Sequence, residues 1–239
     1  DQHMQMALAA IENGVKGLYV EKPFCRTPAE ADHIVNAAEK NGAKVAVAHR
    51  NRYHPALPII DKLMADGEIG RLLEIRGHGL GDRRGGGEDL WVLGGHVFNL
   101  FQRFGGEPES CSGTILQNGK PVTHKDVVNG AEGLGLLAGN EIHARWRLNS
   151  GVTASYTTFA NDGSNKKGYA ARLIGTKGAI SIHIDRDPIA WLCPGNPFDP
   201  ASRRNDRIPI TSAGLSQTEV QPGLIASVHD HTLAIQDLI

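Results

Sequence analysis

Apolar positions in the first fifty residues switch between two periods. A helical pattern runs from about Gln2 to Asn13 and closes at Gly14, a residue suited to the left-handed stop of a helix C-terminus. A short apolar run, Gly17–Val20, follows as a strand. Thr27-Pro28-Ala29-Glu30 then offers an N-cap, a proline at the first helical position and a glutamate three residues after the cap, which together predict a capping box. Ala31, Ile34, Val35 and Ala38 recur at helical spacing before Asn41-Gly42, and Lys44–Ala48 is a second strand-like run. Helix, strand, helix, strand with short links predicts a parallel sheet covered by helices. Ligands gather at the carboxyl ends of such strands, which is where Glu21-Lys22-Pro23 and His49-Arg50-Asn51 fall.

The pattern changes after His54-Pro55. One more helix, Leu57–Met64, ends at Asp66-Gly67. Strand-like runs follow at Leu72–Arg76, Glu141–Arg147, Val152–Thr158, Ala170–Ile174 and Ile180–Ile184, separated by turns rich in Gly, Asn, Asp and Ser. In Glu141–Arg147 the apolar residues Ile142, Ala144 and Trp146 alternate with charged neighbours, as an antiparallel sheet with one wet face requires. A single helix, about Gly95–Phe104, interrupts this region. The fold class expected is therefore mixed. A parallel α/β unit occupies the start, and an α+β domain on a large, open, mainly antiparallel sheet follows. Helical patterns at both ends, starting near Asp1 and running to Ile239, read as interrupted rather than finished.

Composition narrows the function classes. The 239 residues are 40% hydrophobic and 21% charged with a net charge of −1, so no basic field attracts nucleic acid or an anionic membrane. No apolar run reaches the ~20 residues of a membrane span. Cys25, Cys111 and Cys193 are odd in number and form no CxxC pair, so neither a disulfide framework nor a structural zinc site is expected. A reducing, cytoplasmic location fits this cysteine usage.

Gly85–Pro108, GGGEDLWVLGGHVFNLFQRFGGEP, carries the chemistry. Val97, Leu100, Phe101 and Phe104 form an apolar stripe, while His96, Asn99 and Arg103 share a polar face. Placed in the first helical turn, His96 would be kept neutral by the helix's positive end and could act as a general base. Gly94 and Gly95 would admit a ligand close to the backbone. Taken singly, His96 reads first as a histidine satisfied by a backbone carbonyl, and Lys22 as a solvated lysine paired with Glu21, ahead of any catalytic role. His229-Asp230-His231 suits a helix cap better than a metal site, and Lys166-Lys167 and Arg203-Arg204 read as solvated turns. No metal is expected.

Together these segments resemble the glucose–fructose oxidoreductase and inositol dehydrogenase family, Gfo/Idh/MocA. The resemblance rests on VEKP leading to HRNRYHP, on GEIGRLLEI, on the glycine-rich start around GGHVFNLFQRFGG, on LIGTKGAISI and on HTLAIQDLI, in that order. It implies that residues 1–53 are the second half of a Rossmann domain binding NAD or NADP, and residues 54–239 a substrate and oligomerisation domain. By resemblance Lys22 lies between nicotinamide and substrate and His96 is the acid/base. Glu21, Pro23 and Arg50 would belong to the cofactor site, and Tyr53 and Asn99 to the substrate pocket. A carbohydrate-like substrate and a homo-oligomer built through the open sheet face are implied as well, with no nucleic acid or membrane partner.

Two positions depart from the family pattern. Val92 stands where many members carry a substrate-contacting aspartate, and Asn99 stands where an aspartate is frequent; Glu88 or Asp89 could supply a carboxylate instead. The family's GxGxxG turn is not found: the glycines of Gly77–Asp82 lack both the third position and a following helix. Weak NAD(H) binding by this stretch alone is therefore expected. Two rival functions stay open, namely glycoside cleavage through transient oxidation with a bound cofactor, and non-catalytic ligand binding.

Overall fold

The computed structural model describes residues 2–163, 169–184, 186–199, 207–223, 228 and 230–238. Lys166-Lys167, Arg203-Arg204 and His229 lie outside them. The first unit is built from α1 (His3–Glu12), β1 (Gly17–Val20), α2 (Pro28–Asn41) and β2 (Lys44–Val47). β1 and β2 pair in parallel, Gly17 opposite Lys44 and Val20 opposite Val47. Ala7, Ile11, Leu18, Ile34 and Ala38 form one small core between the helices and this pair. Gly42 ends α2 at φ 60°, and Thr27 caps its start by accepting from the Glu30 amide. Only half of the expected capping box forms. The Glu30 carboxylate accepts from the Arg26 amide and guanidinium instead of the Thr27 amide, because Arg26 offers charged donors on the same side.

A 3₁₀ turn, Arg50–Tyr53, leads to α3 (Leu57–Ala65), whose Leu57, Ile60 and Leu63 enter a second, larger core. That core lies against a ten-stranded sheet. Its strands are β3 (Leu72–His78), β4 (Pro108–Gln117), β5 (Lys120–Pro121), β8 (Glu141–Leu148), β9 (Thr153–Phe159), β10 (Ala170–Gly175), β11 (Gly178–His183), β12 (Ala190–Pro194), β13 (Ile208–Thr211) and β14 (Gly214–Leu215). The strand order is β14-β13-β12-β11-β10-β3-β9-β8-β4-β5; β3 and β9 are parallel and the other pairs antiparallel. A separate hairpin joins β6 (Val128–Asn129) and β7 (Leu136–Leu137). Hydrophobic periodicity missed β4 for a physical reason. Its residues from Pro108 to Ile115 are exposed, so neither face of the strand selects apolar side chains.

The helix carrying His96 begins earlier than its sequence suggests. A helical turn α4 (Gly87–Asp89) and a π turn (Leu90–Gly94) run directly into α5 (Gly95–Gly105), and Gly94 is helical at φ −55°, ψ −37°. Gly94 therefore does not start the helix, and His96 does not sit in a free first turn. Val97, Leu100 and Phe101 of α5 pack with Ile75, Leu148, Ala154 and Tyr156 of the sheet. Gly77 in β3 permits this approach, since a Cβ there would lie 2.5 Å from Val97 Cγ1.

The last helix, α6 (Thr232–Leu238), returns to the first unit and contacts β1, β2 and the Arg50–Tyr53 turn. This segment, placed by sequence order after residue 53, thus packs on the small parallel sheet. Among the described residues no helix is long and apolar enough to cross a membrane.

Candidate active site

Lys22 leaves β1 half-buried, and its Nζ donates to the carbonyl oxygen of Val92 at 3.1 Å. The expected pairing of the ammonium with the Glu21 carboxylate is replaced by this bond. Glu21 accepts from the Lys22 backbone amide at 3.0 Å, and its other oxygen lies 3.7 Å from His231 Nε2. The Lys22–Pro23 peptide is cis, and the Pro23 carbonyl contacts His3 Nδ1 at 2.8 Å. The Val92 side chain is itself buried, so this position contributes a main-chain acceptor in place of a carboxylate. π turns recur at functional sites because they redirect helical carbonyls and side chains.

His96 is 3% exposed. Its ring stacks on Tyr169 with centroids 5.7 Å apart and meets His49 edge-on at 5.6 Å. Tyr169 is fixed in turn by Asn51, whose amide donates to its hydroxyl at 3.2 Å. His96 Nδ1 is buried without a hydrogen-bond partner. Burial pushes the imidazole down to about 3, with His49, Lys22 and Arg50 adding to the effect. His96 is thus neutral at pH 7, as expected, but the cause is desolvation among cations and not a helix terminus.

Two adjoining spaces open beside this cluster. The smaller, ≈ 340 Å³, is lined by Lys22, Pro23, Phe24, Cys25, Leu90 and Trp91; the larger, ≈ 480 Å³, by Asn99, Gln102, Glu107 and Pro108 among others. His49, Gly95, Phe98 and Trp146 line both. Such mixed aromatic and polar walls suit a small ligand that is itself amphipathic.

The structure therefore brings Lys22, Pro23, Arg50 and His96 together and sets Asn99 one helical turn further along. Glu21 stays near the solvent. Tyr53 does not join them: its hydroxyl donates to Asp237 of α6 at 3.0 Å, because the 3₁₀ turn aims it at the returning helix. Arg103, expected on the His96 face, pairs with Asp61 of α3. Neither carboxylate near Val92 reaches the cleft. Asp89 is fully buried and accepts from Tyr156 at 2.9 Å and Thr158 at 2.5 Å, while Glu88 lies 3.6 Å from Arg83. Asp230 accepts from the Thr232 amide at the start of α6, and His231 binds the Tyr19 hydroxyl at 2.8 Å. Among the described residues no group of three or more His, Cys, Asp or Glu side chains could hold a metal ion. His49 and Asn51 were legible only by their place at the end of a strand, without a role, and Tyr169 was not legible at all. The position of His49 at the exit of β2 was the one signal for it.

Residues 1–49 match the family described as "Oxidoreductase family, NAD-binding Rossmann fold", GFO_IDH_MocA. The similarity to the Gfo/Idh/MocA oxidoreductases by this match covers the first unit, about a fifth of the chain. Levoglucosan dehydrogenase of Pseudarthrobacter phenanthrenivorans is 24% identical over 218 residues, covering 77% of this chain and 53% of that protein. Inositol 2-dehydrogenase of Salmonella typhimurium is 31% identical over 78 residues, 32% of this chain and 23% of that protein. The chain thus spans about half the length, or less, of these relatives. A levoglucosan dehydrogenase solved with NADH and L-sorbose superposes with a TM-score of 0.69 at 22% identity, covering 99% of this chain and 68% of that one. An inositol dehydrogenase homologue from Azotobacter vinelandii, solved with NADH and myo-inositol, gives 0.64 at 17% identity, with 83% and 52% coverage. At this identity the superpositions establish the fold: a Rossmann-type unit joined to a large mixed sheet.

Proposed function

We propose that the protein is an NAD- or NADP-dependent oxidoreductase that moves a hydride between nicotinamide and a hydroxyl or keto carbon of a sugar, polyol or related compound. The observation that carries this reading is the anchored Lys22 ammonium beside a neutral, buried His96. Oxidation of a carbinol takes a hydride from carbon and a proton from oxygen. The nicotinamide, when bound, takes the hydride, so the protein has to manage the proton. Neutral His96 accepts it, and Lys22 stabilises the negative charge developing on the oxygen.

The residues present fit such a cofactor. Glu21-Lys22-Pro23 ends a parallel strand, the place where α/β sheets hold nucleotides, and Arg50 adds a second cation close to His96. The unpaired Nδ1 atoms of His49 and His96 are polar atoms suited to a hydroxylated ligand. The relatives' names and ligands point the same way: levoglucosan, L-sorbose and myo-inositol are all polyhydroxy compounds. The exposed strand β4 on the open sheet supports a homo-oligomer formed through that face.

The test follows reduced nicotinamide by its absorbance, using the full-length protein with NAD⁺ or NADP⁺ and a panel of sugars and polyols. Turnover that His96→Ala abolishes is the expected result. No reduction of either cofactor with any polyol would sink the reading. Reduced cofactor that never leaves the protein during turnover would favour glycoside cleavage by transient oxidation.

A further inference from the structure

His231 sits just before α6 at φ 67°, a left-handed backbone that a glycine adopts freely and that costs a residue with a side chain. Strain of this kind persists only where the surroundings hold it, and it gathers at functional sites. The His231 ring meets two residues at the exit of β1. Its Nδ1 lies 2.8 Å from the Tyr19 hydroxyl, with the rings edge to face at 5.5 Å, and its Nε2 lies 3.7 Å from one oxygen of Glu21. The other Glu21 oxygen accepts from the Lys22 backbone amide at 3.0 Å. The backbone of Lys22 is thus gripped from the side of α6, while its Nζ is held by the Val92 carbonyl.

We propose that His231 is a positioning residue for Lys22, holding the turn Glu21-Lys22-Pro23 through Tyr19 and the Glu21 carboxylate so that the ammonium stays on the Val92 carbonyl. This rests on the oxidoreductase reading, in which Lys22 meets the oxygen that gains charge. With its proton on Nε2, facing the carboxylate, the imidazole accepts from the Tyr19 hydroxyl at Nδ1, so one neutral ring serves both partners. A lysine carries its charge on a flexible four-carbon stem, and a loosened backbone at its root spreads the places its Nζ can occupy. Electrostatic stabilisation of a transition state needs that place fixed beforehand. The contact also joins the segment returning from the large sheet to the reactive end of β1, so a displacement of α6 reaches the lysine.

His231→Gly tests this, because it removes the ring and relieves the left-handed backbone in one step, which keeps the cost to the fold small. Carbon–proton NMR of the lysine ε-methylene groups, on the full-length protein without cofactor and with Lys22 assigned through Lys22→Arg, reports whether the side chain is immobilised. Two unequal Hε resonances are expected for Lys22 in wild type and one averaged resonance in His231→Gly. Tyr19→Phe should shift the signal in the same direction, and His231→Asn, whose amide tolerates the left-handed region, should keep the pair. With a polyol and cofactor, kcat should fall roughly 10–100-fold in His231→Gly at nearly constant KM. In a Lys22→Met background the same substitution should cost nothing further. A Lys22 signal that is the same in wild type and His231→Gly overturns the proposal, as does an equal loss of kcat in the Lys22→Met background. A Lys22 signal that averages in His231→Gly, in a protein that oxidises no alcohol, would leave the positioning standing and sink the oxidoreductase reading instead.

Discussion

The Lys22 ammonium and the Val92 carbonyl oxygen, seventy residues apart in sequence, meet at 3.1 Å and tie the exit of β1 to the π turn before α5. A neutral acceptor orients the ammonium without neutralising it. In the proposed reaction the positive charge thus remains available to a developing alkoxide, and it adds to the burial that keeps His96 unprotonated. Lys22→Met preserves the stem and removes the charge. Its kcat/KM is expected to fall by roughly 10²–10³ in steady-state assays, the scale of losing one preorganised electrostatic contact. Lys22→Arg should recover little, because a planar guanidinium cannot take the place of a compact ammonium at a single carbonyl. A Lys22→Met enzyme with wild-type kcat/KM would remove Lys22 from the mechanism.

Burial of His96 also predicts a stability change with pH. The imidazole titrates near 6.5 in the unfolded chain and at about 3 in the folded one. Between those values the unfolded state binds the extra proton, so stability is complete above about pH 6.5 and falls as the solution is acidified. Each unit within that window removes at most ~1.4 kcal/mol, so going from pH 6.5 to 4.5 should cost about 2 kcal/mol from this residue. Urea denaturation at both pH values, wild type against His96→Gln, checks this. An equally steep pH dependence in the variant would show that other groups carry it.

How much of this was legible depended on what each residue answers to. Thr27, Pro28 and Gly42 follow local backbone rules, and the structure places them as their sequence indicates. Strand β4 was not legible because exposure on both faces erases periodicity. The chemistry at His96 was half legible. Its neutrality came through, but the cause did not, since the π turn before it and the packing of His49 and Tyr169 around it are tertiary facts. Asp89 shows the same limit. From spacing alone it could have faced the cleft, yet the added residue per turn in a π segment rotates what precedes it, and Asp89 bonds to β9 instead.

That carboxylate explains a glycine. A Cβ on Gly79 would lie 1.7 Å from Asp89 Oδ2 and 2.6 Å from Thr158 Oγ1, within a network that Tyr156 and Thr158 hold in place. Gly79→Ala should therefore destabilise the protein by roughly 2–4 kcal/mol, through displacement of a buried hydrogen-bonded carboxylate. In an Asp89→Ala background the same substitution should cost much less, because the group it strikes is gone. A double-mutant cycle in denaturant decides the point, and additive effects would refute the steric origin.

Tyr53 offers a sharper separation of structure from chemistry. Its hydroxyl donates to Asp237 at 3.0 Å, and burial together with that carboxylate raises its pKa, so at neutral pH it is a donor committed to α6. Tyr53→Phe removes one partly exposed hydrogen bond and leaves the ring in place. The expected loss is about 0.5–1 kcal/mol of stability, with faster hydrogen exchange in α6 and no change in the substrate KM. Asp237→Ala should match it in both respects, since it deletes the other half of the same bond. A several-fold rise in KM for Tyr53→Phe without a matching rise for Asp237→Ala would return the tyrosine to the substrate pocket.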